Sequence, residues 1–319
     1  MTAIPSARLV AIFGGSGFLG RHIVRALARD GWRVRVGVRH PNTAHFLRPM
    51  GRVGQIQIVK ANLLKSDDVA EMMREAHAVI NLVGILYQRG SQRFQAVHSD
   101  GAAAVAQAAA EHGVGRLIHF SALGASAESV SLYARSKAEG EKRVRAAFPG
   151  ATIMRPSVVF GPEDDFFNRF AALARISPVL PLIGGGHTRF QPVYAGDVAQ
   201  ATVAALGNSS TESRSFELGG PEIMSLTDVM RFVLRETRRR RLLINVPFGL
   251  AKFQAGFLGL LPKPPLTLDQ VRLLQSDNVV TPGAAGLAEL GVAPTTVEAI
   301  VPAYLWRFRK AGEFEAASS

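Results

Sequence analysis

Apolar runs of strand length alternate with helical stripes through the first half of this chain. Residues 8–13, 31–38, 55–59, 78–83, 116–121 and 152–158 are short runs rich in Val, Ile, Leu and Phe, and they predict buried strands. Between them the apolar positions shift to helical spacing. Ile23, Val24 and Leu27 mark the first helix, and further helices are predicted at 67–76, 93–111 and 132–147. Strands that are apolar on both faces belong in a parallel sheet covered by helices on each side. The pattern therefore predicts an α/β chain with a Rossmann-like, doubly wound parallel sheet. Beyond Gly161-Pro162 the rhythm breaks into short strands, at 189–193 and 215–218, among helices and Pro/Gly turns. The expected division is a nucleotide-binding domain over 1–160 and a smaller C-terminal α/β lobe over 161–319. Residues 190–206 are expected to return to the first domain.

The junction of the first strand and first helix carries chemistry. Gly14-Gly15-Ser16-Gly17-Phe18-Leu19-Gly20 places glycines at G-x-x-G-x-x-G spacing. Gly14 suits the tight turn, Gly17 lets a pyrophosphate approach the backbone, and Gly20 lets the helix lie close to the strand. Free N–H groups at a helix N-terminus then face the phosphates, with Ser16, Phe18 and Leu19 lining the turn. The end of the second strand refines the cofactor. A carboxylate there holds the ribose 2′-hydroxyl of NAD, and an arginine accommodates the 2′-phosphate of NADP. This chain offers Arg39 and His40, with no acidic residue between Asp30 and Asp67. Arg39 can meet a phosphate through two parallel hydrogen bonds, so the expected cofactor is NADPH/NADP.

Composition narrows the alternatives. A hydrophobic content of 47% with 19% charged residues describes a chain with a sizeable core. No window supplies the roughly 20 apolar residues of a spanning helix. With the first strand opening at Arg8, no cleaved leader is expected, and the protein is read as cytosolic or already mature. The absence of cysteine excludes disulfides, thiolate catalysis and cysteine-held metals. The eight histidines show no ligand spacing, and no metal is expected. A net charge of +12 points to a polyanionic neighbour. The arginines are dispersed apart from Arg238–Arg241, without interleaved aromatics, so nucleic acid is not the expected partner.

Tyr133-Ala134-Arg135-Ser136-Lys137 sets a phenol and an ammonium one helical turn apart on one face. An ammonium beside a phenol favours phenolate, which predicts a lowered Tyr133 pKa and an acid/base role at a carbonyl or hydroxyl. Asp164-Asp165 is a tempting carboxylate pair, but the start of a helix explains it better.

These features together resemble the short-chain dehydrogenase/reductase superfamily in its extended or atypical branch, over about residues 8–245. The resemblance implies that Asn62 and Leu63 sit near the adenine and that Leu82-Val83-Gly84 line the cofactor. It also implies that Ser121 borders the active site with Tyr133 and Lys137, and that Pro156 and Val158 back the nicotinamide. Two positions depart from the pattern. Leu123 stands where the extended branch often has its catalytic hydroxyl, and Asn62 replaces a usual acidic residue.

A narrower resemblance lies in residues 155–171 (RPSVVFGPEDDFFNRFA), 180–201 (LPLIGGGHTRFQPVYAGDVAQA) and 264–280 (PPLTLDQVRLLQSDNVV). These stretches resemble the NADPH-binding accessory subunits of respiratory complex I (alpha subcomplex subunit nine) and their bacterial relatives. That resemblance implies tightly bound NADPH of structural or regulatory use, complex I as partner and a peripheral place at the inner face of the bacterial plasma membrane, or the matrix side in mitochondria. Active NADPH-dependent reduction of a quinone-like or other apolar substrate is the alternative, followed by nucleotide-sugar epimerase or dehydratase chemistry. Residues 246–262 fit a membrane- or partner-facing role. Leu250, Phe253, Phe257, Leu260 and Leu261 line one face if helical, with Arg238–Arg241 and Lys263 as basic flanks. A helix packed on its own lobe is the competing reading.

Overall fold

A computed structural model describes residues 8–259, 261 and 264–310. Leu260 and Lys263 lie outside the described residues. The chain divides into two compact units. The first comprises the chain up to Pro156, Gly196–Leu218 and Gly283–Ala293. The second comprises Ser157–Ala195, Gly219–Pro282 and the chain from Pro294.

The first unit is built on β1 (Leu9–Phe13), β2 (Arg33–Val38), β3 (Ile56–Lys60), β4 (Ala78–Asn81), β5 (Arg116–Phe120) and β6 (Thr152–Pro156). A seventh strand, Ser215–Leu218, pairs with β6, and the spatial order is Ser215–Leu218, β6, β5, β4, β1, β2, β3. Every pairing is parallel, as the runs of buried Val, Ile and Leu require. Strand order reverses between β1 and β4, and the crevice at the carboxyl ends of such strands is where open α/β sheets bind ligands. Helices α1 (Phe18–Arg29), α2 (Ser66–Met73), α3 (Gly101–Glu111) and α4 (Leu132–Ala147) supply the crossovers. Ile23, Val24 and Leu27 bury completely, as their spacing predicts.

Several boundaries differ from the sequence reading for local reasons. The strand expected over 78–83 stops at Asn81, whose side-chain oxygen accepts the Val83 N–H and ends the ladder. The helix expected over 67–76 stops at Met73, and the Arg35 guanidinium donates to the carbonyls of Glu71, Met72 and Arg74 at its end. The single helix expected over 93–111 is a π-helical turn, Gln95–Asp100, followed by α3.

In the second unit, Val179–Ile183 pairs in parallel with Leu242–Val246, and short ladders join Val159–Phe160 to Val193–Tyr194 and Arg189–Phe190 to Met224–Ser225. Its core gathers Phe160, Phe167, Val229, Phe232 and Val301. Asp164 is buried there, accepting the backbone N–H groups of Gly161, Phe166 and Asn168 and the Tyr304 hydroxyl, so it serves the start of helix Phe167–Ile176.

Helix Phe248–Leu258 turns Ala251 and Ala255 into that unit and leaves Leu250, Phe253 and Phe257 outside, at 49%, 65% and 64% exposure. The phenylalanines are thus not core residues of their own lobe. Of the basic run, Arg239 and Arg241 are tied to the carbonyls of Phe308 and Ala174, while Arg238 and Arg240 are exposed. No helix among the described residues is long and apolar enough to cross a membrane.

Candidate nucleotide site

The end expected to hold phosphate is made of backbone. Gly14 adopts φ +83°, a left-handed conformation that favours glycine, and its carbonyl accepts the Gly17 N–H at 3.1 Å. A β-carbon on Gly20 would lie 2.6 Å from the Gly15 Cα and would collide with the Gly14 carbonyl oxygen. Gly20 is therefore what lets α1 start directly against the turn. No side chain caps this helix and its first turn holds no acidic residue. The leading N–H groups of a helix have no intrahelical acceptor, and here they carry the positive end of the dipole. The donor set fits a pyrophosphate.

Arg39 and His40 follow β2 directly and are both exposed. The His40 carbonyl accepts the Thr43 N–H and hydroxyl, fixing the turn that carries Arg39. Asn62 and Leu63 lie just past β3. The Asn62 side-chain oxygen accepts the Leu64 N–H, and Leu63 is buried in the core near Gly101.

The other end is made of buried side chains. Ser131 caps α4 by accepting the Ala134 N–H, and this helix carries Tyr133 and Lys137. A β-carbon on Gly140 would meet the His98 carbonyl oxygen, so α4 seats directly on the π-helical turn. The Lys137 Nζ donates to the Phe120 carbonyl at 3.1 Å, and a β-carbon on Gly84 would lie 3.4 Å from it. This brings the Leu82–Gly84 loop, the end of β5 and α4 together. Burial lowers Lys137 to about 8, opposed by Glu141. Burial raises Tyr133 to about 12, so the depression expected from Lys137 is overturned. The loss of water around a phenolate outweighs the neighbouring ammonium.

Ser121 sits just past β5, two residues after His119 and thus on the same face. The Ser121 Oγ and His119 Nε2 are buried without a hydrogen-bond partner. Asn81 spends its oxygen on Val83, so its amide nitrogen faces the His119 Nδ1 at 3.4 Å and the ring proton belongs on Nε2. Burial, and then Lys137, lower His119 to about 3. Buried polar groups with unmet capacity are rare, and a bound polar group or an ordered water would satisfy these two. Leu123 is buried and apolar, with its N–H on the Pro156 carbonyl. Pro156 ends β6, whereas Val158 belongs to the second unit and donates its N–H to the Asn278 side chain at 3.2 Å.

Sequence reasoning missed His98. Its ring stacks on Phe94 at 5.4 Å and meets Tyr133 edge-on at 5.3 Å. Its Nε2 accepts the Ile85 N–H at 2.9 Å and its Nδ1 lies 2.9 Å from the Ser136 Oγ, which donates to the Tyr133 carbonyl. The available signal was a lone histidine within the apolar stripe of Phe94, Val97, Ala102 and Val105.

Fold and site define a nucleotide-binding α/β protein of the Rossmann type. The chain belongs to the NAD dependent epimerase/dehydratase family, whose sequence pattern matches residues 10–219. It is 36% identical to the NADH dehydrogenase [ubiquinone] 1 alpha subcomplex subunit 9 of Arabidopsis thaliana, over 96% of this chain and 79% of that one. It is 40% identical to the ceramide reductase of Caulobacter vibrioides, over 63% of this chain and 62% of that one. In fold it resembles the dTDP-glucose 4,6-dehydratase of Streptomyces venezuelae, solved with NAD and TYD bound, with a TM-score of 0.73 and 18% identity over 94% and 96% of the two chains. The resemblance to the complex I subunit family is thus borne out along nearly the whole chain.

Proposed function

We propose that this protein binds NADPH as an accessory subunit of the complex I type, with the nucleotide serving a structural or regulatory purpose. The observation that carries this is the 36% identity over 96% of the chain to a respiratory subunit. Arg39 supports NADPH over NADH, since a guanidinium at the end of β2 can pair with a 2′-phosphate and no acidic residue lies between Asp30 and Asp67 in the sequence. Leu123 in place of a hydroxyl and a raised Tyr133 pKa both favour retention over turnover. When bound, the nicotinamide supplies hydride exchange. Lys137 and Tyr133 would hold its ribose and amide, Ser121 would meet it from β5, and the first turn of α1 would hold the pyrophosphate. The outward Phe253 and Phe257, with exposed Arg238 and Arg240 on the same unit, support a peripheral place at an anionic membrane surface or against a membrane-bound partner. Purification from membranes tests the reading: NADPH and respiratory subunits should accompany the chain.

A second reading is an active NADPH-dependent reductase acting on an apolar carbonyl or quinone-like ring. The similarity to a ceramide reductase and the retained Tyr133 and Lys137 favour it. Tyr133→Phe separates the two. It should leave NADPH affinity nearly unchanged in either case, but turnover, if present, should fall by about 10²–10⁴.

A further inference from the structure

Three segments meet at one imidazole in the first unit. The Ile85 N–H, in the loop after β4, donates to the His98 Nε2. That bond places the ring proton on Nδ1, where it donates to the Ser136 Oγ, and the Ser136 hydroxyl passes to the Tyr133 carbonyl. Each donor has one acceptor and the chain runs in one direction, from the loop through the π-helical turn into α4. The ring cannot slide, because Phe94 stacks on it and Tyr133 closes on it edge-on. Helix α4 lies directly against this turn, since Gly140 leaves no side chain between the helix and the His98 carbonyl. A π-helical turn is a rare element that concentrates at functional sites, and this one exists at the residue that makes the links.

We propose that His98 is a positioning residue that clips the loop following β4 to the helix carrying Tyr133 and Lys137, and so sets the shape of the nicotinamide end of the site. This rests on the reading that the site binds NADPH. His98 touches neither the pyrophosphate turn nor Arg39, so its effect belongs to one half of the nucleotide. A side chain that merely supported the fold would affect both halves alike.

The probes are NADPH and 2′-phosphoadenosine diphosphoribose, which lacks the nicotinamide. Both are titrated calorimetrically into the whole chain as wild type, His98→Ala, His98→Gln and Ser136→Ala. His98→Ala removes both links and should weaken NADPH by about tenfold while changing the fragment by less than about twofold. His98→Gln places an amide oxygen where Nε2 stood, keeps the Ile85 link and should recover most of the NADPH affinity. Ser136→Ala leaves the imidazole in place, cuts only the link to α4 and should weaken NADPH by about threefold, again sparing the fragment. Equal losses for NADPH and fragment in His98→Ala and Ser136→Ala overturn the proposal and leave the NADPH reading standing. A wild-type chain that binds the fragment no more weakly than NADPH overturns it as well, because the nicotinamide end then contributes nothing. A wild-type chain that binds neither overturns the NADPH reading together with it.

Discussion

The two ends of the nucleotide site are built from different materials. At the phosphate end, the turn between β1 and α1 works through backbone amides and a glycine contact, and its side chains contribute little. At the end proposed for the nicotinamide, Lys137, His98, His119 and Ser121 are buried side chains, two of them with unpartnered polar atoms. The first end needs only the correct backbone to hold a phosphate. The second depends on protonation states that burial controls, and burial has pushed Tyr133 away from the phenolate and the histidines away from the imidazolium. On the reading proposed above, these neutral states favour holding a nucleotide over proton transfer.

The largest expected effect is at the backbone end. Gly20→Val drives a branched side chain into the Gly14 carbonyl, where nothing flexible can yield. Overpacking of this kind costs about 1–3 kcal/mol or more, and NADPH affinity should fall by over about a hundredfold. Calorimetry with a melting curve reads both, and a folded variant with unchanged affinity would break the distinction between the ends.

Arg39→Asp comes next. Replacing a charge-assisted pair with repulsion should cost NADPH about 2 kcal/mol or more and leave NADH unaffected. Parallel titrations of the two nucleotides check it. Equal losses would remove Arg39 from recognition of the 2′-phosphate.

The buried end makes a prediction about pH. His98 and His119 are held neutral by burial, at about 2 and about 3, against an ordinary value of 6.5. The unfolded chain therefore binds more protons than the folded one below 6.5. Stability is fully present above that pH and is lost as pH falls towards the folded values, at about 1.4 kcal/mol per pH unit for each histidine. His119→Leu should flatten the melting temperature between pH 6.5 and 4 relative to wild type. An unchanged slope would show that the His119 ring is not held neutral in the fold.

How much of this was legible in the sequence depended on whether a requirement was local. Gly14, Gly17 and Gly20 showed the tight strand-to-helix turn because its geometry is fixed within a few residues. The sheet was legible for the same reason: both-face burial leaves continuous apolar runs, and each predicted strand of the first unit is present within a few residues. The π-helical turn was not legible, because Phe94, Val97, Ala102 and Val105 satisfy a helical stripe whether the backbone is α or π. The direction of the Tyr133 shift was missed because the spacing to Lys137 is sequential, whereas the burial that outweighs it comes from packing elsewhere in the fold. The packing of Leu63 in the core and the Asn62 turn were not legible either, because both depend on residues beyond the strand end.

The smallest effect concerns a surface of the second unit. Phe253 and Phe257 pack edge to face at 5.0 Å and stand outside their unit. Replacing both with Ser should leave the melting temperature nearly unchanged, because neither is core, and should reduce binding to vesicles containing anionic lipid. Loss of stability would place these rings in the core, while undiminished vesicle binding would remove this helix from the membrane-facing surface.

The central claim is retention of NADPH without consumption. Nucleotide released from the freshly purified chain should be identified and counted, and the loaded protein then incubated with a soluble quinone and a long-chain ketone while absorbance of the reduced nicotinamide is followed. The account predicts stoichiometric NADPH whose absorbance does not decay. Recovery of NADH, or steady oxidation that Tyr133→Phe abolishes, would contradict it.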